Sequence, residues 1–252
     1  MIAVTGSASG IGAAVRALLE AGGARVVGVD VHDAEVRADL ATPPGRAAAV
    51  DAVARAADGR LDGLVACAGV GPHVADGSLL VRLNYFGATA LLDGLRPCLA
   101  AARGAAVAVS SNAALLPNAD AAVAAACLDG DEARAVAAAA DAIGPSVYGG
   151  AKRALAGWVR RHAPSAAWAG AGVRLNAVAP GAVRTPLLEA GLADPVLGPA
   201  IRGFPIPLGG PAAPEVVAAA IAFLLGPAAA FCAGTVLVVD GGTDALLRPD
   251  AV

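Results

Sequence analysis

The sequence predicts an α/β domain built on a doubly wound parallel β-sheet with helices on both faces. Three observations carry this. Short runs rich in β-branched residues alternate with longer Ala- and Leu-rich stretches, the order that βαβ units produce. The runs are apolar at nearly every position rather than at alternate ones, as strands covered by helices on two sides must be. A glycine-rich turn closes the first run and opens the first helical stretch, a place where backbone N–H groups are free to meet an anion. At 252 residues the chain is long enough for one domain with a sizeable core, and it contains no repeat or disordered linker.

Taken in order, strands are expected at "IAVT" (2–5), "RVVGVD" (25–30), "GLVACA" (63–68), "AVAVSS" (106–111), "VRLNAVA" (173–179) and "TVLVVD" (235–240). A further short strand is expected at "EVRAD" (35–39). Helices are expected near 10–22, 44–57, 77–102, 146–168 and 213–225. Hydrophobic residues make up 57% of the chain but aromatics only 3%, so the core must be built from small side chains, with helices close on the sheet. Two segments break the rhythm. Residues 117–147 form an insertion in which "DEARAVAAAADA" begins acidic and continues in Ala, a helical pattern. Residues 186–212, rich in Pro, Gly and Leu, read as a mobile, mostly apolar lid.

Composition narrows the function classes. The net charge is −3 and no run of like charges occurs, which argues against nucleic acid as a partner. The short basic stretch "VRRHAP" (159–164) reads as a solvated helix face. Val216 to Val239 runs 24 residues without a charge, long enough to span a bilayer. Gly226-Pro227 and Gly234 divide it, however, so a buried helix followed by a buried strand is expected and no membrane span. Cys67, Cys98, Cys127 and Cys232 are scattered without metal spacing or C-x-x-C, and read as small buried hydrophobes of a reducing compartment. "MIAVTG" has no basic n-region, so a cytoplasmic location is expected. His32, His73 and His162 lie far apart, and no metal site is expected.

"IAVTGSASGIG" places Gly6, Gly10 and Gly12 directly after a strand and at the start of a helix, the context that makes a glycine pattern a dinucleotide site. Ser7 and Ser9 add hydroxyls, and Ile11 lies within the same turn. Asp30 closes the second strand. A carboxylate there accepts both ribose hydroxyls of NAD and repels a 2′-phosphate. Ser9 and Val31 stand where an NADP site would carry Arg or Lys, so NAD is the expected cofactor.

"YGGAK" (148–152) holds the single lysine of a chain whose other seventeen cationic side chains are Arg. Tyr148 and Lys152, four residues apart, share one helix face. A free phenol has a pKa of about 10, and bringing it to neutrality takes about 4 kcal/mol of phenolate stabilisation. A fixed ammonium together with the positive nicotinamide ring is expected to supply it. Arg would keep the charge but not the compact ammonium that also binds ribose hydroxyls.

The motifs "TGSASGIG", "CAG" (67–69), Asn84 in "LNYFGAT", "VSS" (109–111), "YGGAK" and "PGAVRTP" (180–186) occur in order over nearly the whole chain. Together they resemble the short-chain dehydrogenase/reductase family, which has the Rossmann fold. The resemblance implies NAD(H)-dependent, reversible oxidation of a secondary alcohol to a ketone. It implies Tyr148 as general acid/base, Ser111 as the substrate's hydrogen-bond partner with Ser110 the weaker candidate, Lys152 on the nicotinamide ribose, and Asn84 anchoring a water relay. Asp39 and Leu40 would flank the adenine, Ala68 and Gly69 the cofactor, and Thr185 the carboxamide. Leu187 and Leu188 would meet the substrate. Two departures stand out. Ala66 and Cys67 replace two amides usual in the family, and 37 residues separate Ser111 from Tyr148 instead of little more than a dozen.

Within the family, the insertion and the stretches "GLVACAGVGP", "AGVRLNAVAPGAVRTPLLEAGLADP" and "DGGTDALLRP" are similar to the bacterial 3α-hydroxysteroid dehydrogenase/carbonyl reductase subgroup. That likeness implies a homodimer, because the insertion blocks a helix surface used for tetramers. It also implies a small apolar alcohol or ketone substrate, steroids included. An aromatic or other apolar alcohol fits the lid composition as well. The rival from another class is a non-catalytic NAD-binding regulatory protein. Such proteins typically lose the Tyr or the Lys, whereas Asn84, Ser111, Tyr148 and Lys152 are all present.

Overall fold

The computed structural model describes residues 1–251. Its sheet contains β1 (Ile2–Thr5), β2 (Val26–Asp30), β3 (Val36–Arg37), β4 (Gly63–Ala66), β5 (Ala105–Val109), β6 (Arg174–Pro180) and β7 (Val236–Val239). They run parallel in the order β3-β2-β1-β4-β5-β6-β7. The chain therefore winds outward from β1 to β3, then returns to lay β4 on the other side of β1. That reversal opens a crevice at the carboxyl ends of β1 and β4, where open α/β sheets bind ligands. Thr5 is level with Val29 on one side and Ala66 on the other, so the loops leaving these strands meet at one rim.

All seven expected strands are present, β1 with the expected ends and the others with ends shifted by one or two residues. The fourth stops at Ala66 because the N–H groups of Cys67 and Ala68 leave the ladder and donate to the Thr5 hydroxyl, at 3.0 and 2.9 Å. This also answers the missing family amides: Thr5 ties the loop down from beneath.

Helices cover both faces: α1 (Gly10–Ala21), α2 (Pro43–Ala56), α3 (Gly77–Val81), α4 (Ala88–Gly94) and α5 (Arg96–Ala102) before β5. There follow α6 (Ala121–Leu128), α7 (Glu132–Ala140), α8 (Gly144–His162), α9 (Pro186–Ala193), α10 (Leu197–Arg202), α11 (Pro214–Leu225) and α12 (Thr243–Leu247). Alternate strand residues feed the two layers. Val4, Val65, Val107 and Val178 pack with Val217 and Ile221 on the α1/α11 side. Ala66, Ala106, Ala108 and Ala177 share the other core with Leu91, Leu92 and Leu155. The small strand residues of that second core let α4 and α8 lie close on the sheet.

Four expectations need correction. The span 77–102 is not one helix: Arg82–Gly87 forms a π-helical turn between α3 and α4, which carries Asn84. The catalytic-motif helix ends at His162 rather than 168: Ala163 keeps helical φ/ψ and bonds back to Val159, but Pro164 has no N–H with which to continue the ladder. The insertion holds two helices, α6 and α7. Asp120 caps α6 by accepting the Val123 N–H at 2.8 Å, and Asp131 caps α7 through the Arg134 N–H at 2.9 Å. The first part of the lid is also helical. Thr185 caps α9, accepting the Leu188 N–H at 3.3 Å, and Pro186 occupies the first turn, where its missing N–H costs nothing. The uncharged span resolves into α11 and β7, and among the described residues no helix is long and apolar enough to cross a membrane. Arg174 closes α11 by donating to the carbonyls of Leu224, Leu225, Gly226 and Ala229, at 2.7 to 3.1 Å.

Candidate active site

The crevice at the strand ends is a cavity of about 330 Å³, within the range of small-molecule sites. One end is the glycine turn. Gly6 and Gly10 have φ of 67° and 54°, the left-handed region that favours glycine. A Cβ at Gly12 would lie 2.0 Å from the Gly6 carbonyl oxygen, so the turn closes on the first turn of α1 only if residue 12 has no side chain. Ser9 precedes α1 without capping it, which leaves its hydroxyl and the helix's first N–H groups facing the cavity. Beside them the Asp30 carboxylate accepts the N–H of Ala8 at 3.1 Å and of Val31 at 2.7 Å. Asp39 and Leu40 extend the cavity past Asp30, and Ala68 and Gly69 form its floor. The cradle, the free helix N-terminus and the carboxylate fit a dinucleotide, with pyrophosphate on the turn and a ribose on Asp30.

Ser7 departs from the expected set. Its side chain is buried, and a Cβ at Gly28 would lie 2.4 Å from its Oγ, so the hydroxyl faces β2 and not the cavity. Every other cofactor residue expected from the sequence lines the cavity: Gly6, Ser9, Gly10, Ile11, Gly12, Asp30, Val31, Asp39, Leu40, Ala68, Gly69, Tyr148, Lys152 and Thr185.

At the opposite end the cavity is lined by Asn84, Ser110, Ser111, Tyr148 and Lys152, with Leu187 and Leu188 of α9 across from them. The π turn aims the Asn84 amide at the β4 loop: Oδ1 accepts the Val70 N–H at 3.0 Å and Nδ2 donates to the Val70 carbonyl at 3.1 Å. Gly69 makes room, since a Cβ there would stand 2.5 Å from Asn84 Oδ1. Lys152 is 4% exposed and donates from Nζ to the Val109 carbonyl at 2.8 Å. The two serines have different partners. Ser110 donates its hydroxyl to the Lys152 carbonyl at 2.8 Å, fastening strand to helix. Ser111 Oγ accepts the Ala113 N–H at 3.2 Å and acts on the Tyr148 phenol.

Burial dominates the electrostatics of the pair. Burial raises the Tyr148 pKa, and the neighbouring Ser111 hydroxyl opposes that rise. Burial also lowers the Lys152 ammonium to about 8. Its Nζ stands 5.9 Å from the centroid of the Tyr148 ring, bound to Val109 rather than to the phenol oxygen. The Tyr–Lys pair alone therefore does not lower the phenol. Cys67, read from the sequence as a buried hydrophobe and a departure from the family, is half-buried and lines the cavity. Burial pushes its thiol up to about 11, so it stays neutral. Val70, Leu83 and Pro180–Val183 also line the cavity; they lie within stretches quoted from the sequence, but no role was read for them there.

The short chain dehydrogenase family profile matches residues 1–127, and the enoyl-(acyl carrier protein) reductase profile of the same fold matches residues 133–244. A 3α-hydroxysteroid dehydrogenase/carbonyl reductase of Comamonas testosteroni is 47% identical over 99% of this chain and 98% of its own. The chain belongs to the short-chain dehydrogenase/reductase family. A cis-4-hydroxycyclohexanecarboxylate dehydrogenase of Sinomonas cyclohexanicum is 35% identical over 96% of both chains. The crystal structure of the 3α-hydroxysteroid dehydrogenase from Pseudomonas sp. B-0831, complexed with NADH, superposes with a TM-score of 0.97 at 52% identity, covering 100% of this chain and 99% of that one.

Proposed function

We propose that this chain is an NAD-dependent dehydrogenase of secondary alcohols, reversibly a ketone reductase, and that 3α-hydroxysteroids are among its substrates. One observation carries the reading: Ser111, Tyr148 and Lys152 converge at one end of a cavity whose other end is a glycine cradle beside Asp30. The residues that would hold NAD are the Gly6–Gly12 turn, Asp30, Lys152 and Thr185. The chemistry NAD supplies when bound is acceptance of hydride from the carbinol carbon, and its return to a ketone in the reverse direction.

The chain's own residues handle the proton and the geometry. Ser111 donates a hydrogen bond to the substrate oxygen and holds it against Tyr148. In oxidation the Tyr148 phenolate takes the hydroxyl proton as the carbonyl forms; in reduction the phenol returns it. Burial opposes the phenolate, so Ser111 and the ammonium of Lys152 must favour it together with the cationic ring. A water relay anchored at Asn84 would use its main chain or its second amide hydrogen, since Val70 holds Oδ1 and one Nδ2 hydrogen. Leu187 and Leu188, on the first turn of α9, would cover an apolar ring system and keep bulk water from the reacting carbon.

The steroid reading is supported by the names of two relatives at 47% and 52% identity, and a third relative is named for a hydroxycyclohexane, also a secondary alcohol on a six-membered ring. The proposal extends to a homodimer in the cytoplasm. Ala124, Ala126, Cys127, Ala135 and Ala139 of the insertion are buried within the core, so α6 and α7 cover the α8 side. The opposite side ends in the β7 edge and carries exposed Val216, Phe223 and Phe231, apolar area that a second copy would bury. The four cysteines are free, in keeping with a reducing compartment.

The test is Tyr148→Phe. NADH formation from a 3α-hydroxysteroid is expected to fall by about 10²- to 10⁴-fold while NADH binding, followed by fluorescence, stays within about twofold. Normal turnover by this variant would remove Tyr148 from the mechanism.

A further inference from the structure

The two glycines of "YGGAK" and the arginine that follows it have no part in proton transfer, yet they face one segment. A Cβ at Gly149 would lie 3.0 Å from the Ala113 carbonyl oxygen and 3.1 Å from Ala119 Cα. One at Gly150 would lie 2.6 Å from the Asp120 carbonyl oxygen. The catalytic helix thus touches the backbone of residues 113–120, the stem that leads from Ser111 into the insertion. Arg153, next to Lys152, clasps that stem with all three of its donor nitrogens. Nε donates to the Ala114 carbonyl at 2.9 Å, Nη2 to Leu116 at 2.8 Å and Nη1 to Ala119 at 3.3 Å. At the head of the helix the Ser146 carbonyl accepts the Asp120 N–H at 3.0 Å.

Ser111 therefore sits between two anchors on one helix. Upstream, Lys152 holds Val109 and Ser110 holds the Lys152 carbonyl. Downstream, Arg153 holds Ala114, Leu116 and Ala119. Between them, Ser111 is held by its own short 3₁₀ turn, its hydroxyl accepting the Ala113 N–H and its carbonyl the Ala114 N–H. An insertion of this size, entering six residues after a residue that must meet the substrate oxygen, needs such a restraint.

We propose that Arg153 is a positioning residue: it pins the stem of the insertion to the catalytic helix and so sets where the Ser111 hydroxyl stands relative to Tyr148. This rests on the role given to Ser111 above. A planar fork reaching three carbonyls suits the task, whereas Lys offers one point charge. Gly149 supports it by letting the stem approach.

The experiment is a double-mutant cycle between Arg153→Met and Ser111→Ala, measuring oxidation of a 3α-hydroxysteroid by NAD⁺ and the Kd for NADH by fluorescence. Ser111→Ala alone should lower kcat; if it does not, the role of Ser111 fails, and this proposal with it. Arg153→Met should lower kcat on the order of tenfold, with the Kd for NADH unchanged within about twofold. In the Ser111→Ala background the same change should have no further effect on kcat. Arg153→Lys should recover part of the loss. An equal loss in both backgrounds, a parallel loss of NADH affinity, or full activity in a folded Arg153→Met would each overturn the proposal. If Arg153→Met does not fold, Gly149→Ala displaces the same stem from the helix side and must show the same dependence on Ser111; independence would overturn it.

Discussion

Lys152 is held at a cost in stability, and the cost has a signature in pH. The side chain is 4% exposed, and burial lowers its pKa from 10.5 to about 8. The folded value lies below the unfolded one, so between these two pH values the unfolded chain binds more protons than the folded chain. Stability from this group is therefore gained as pH rises through the window and is absent below it. At about pH 7 the charged amine opposes folding by about 3 kcal/mol. Lys152→Met removes this opposition but strands the Val109 carbonyl, which costs about 1–3 kcal/mol. At neutral pH the two effects nearly cancel, and the variant is expected to be as stable as the parent or slightly more so, while losing activity. The diagnostic quantity is the change in that difference. Between about pH 7 and pH 10 the variant should lose about 2 kcal/mol relative to the parent. Urea unfolding of both proteins at the two pH values, with no dinucleotide added, measures it. Tyrosine and cysteine titrations common to both cancel in the comparison. A difference that stays flat across this range would refute the reasoning.

Two further outcomes follow from the cavity and the surface. Asp30→Ala removes the carboxylate proposed to meet the ribose hydroxyls, so KM for NAD⁺ should rise about 10- to 100-fold and NADP⁺ should gain in relative kcat/KM; an unchanged preference between the two would place cofactor selection elsewhere. Light scattering of the purified chain should give the mass of two copies, and a stable tetramer would contradict the covering role given to α6 and α7.

Most of the architecture was legible because it is written in local patterns. Strands buried on both faces need uninterrupted Val and Ala, and the phosphate turn needs glycines where φ is positive or backbone approaches backbone. That Tyr148 and Lys152 would face one cavity was legible because residues four apart on a helix share a face. What was missed depends on contacts remote in sequence. The buried Ser7 hydroxyl is turned toward β2 by packing against Gly28, and nothing in "TGSASG" distinguishes it from Ser9. Lys152 binds Val109, 43 residues away, so its distance from the phenol could not be read from i, i+4 spacing. The π turn at Asn84 answers to the β4 loop, not to propensity. Two misses did carry a signal. Thr185-Pro186 is a helix start submerged in a segment whose composition suggested a lid, and Asp120 before an Ala run starts a second helix in an insertion where only "DEARAVAAAADA" was read as helical.

The central claim is that this cavity oxidises a secondary alcohol with NAD⁺, and that a 3α-hydroxysteroid is such an alcohol. It is tested most directly by following NADH absorbance with purified protein and a matched panel: a 3α-hydroxysteroid, its 3β epimer, a simple secondary alcohol and an aromatic primary alcohol, with NADP⁺ as the cofactor control. The account predicts rapid NADH formation from the 3α epimer with NAD⁺, and little from the 3β epimer or with NADP⁺. Turnover of the other alcohols alone would contradict the steroid assignment, and silence with every alcohol would contradict the enzyme.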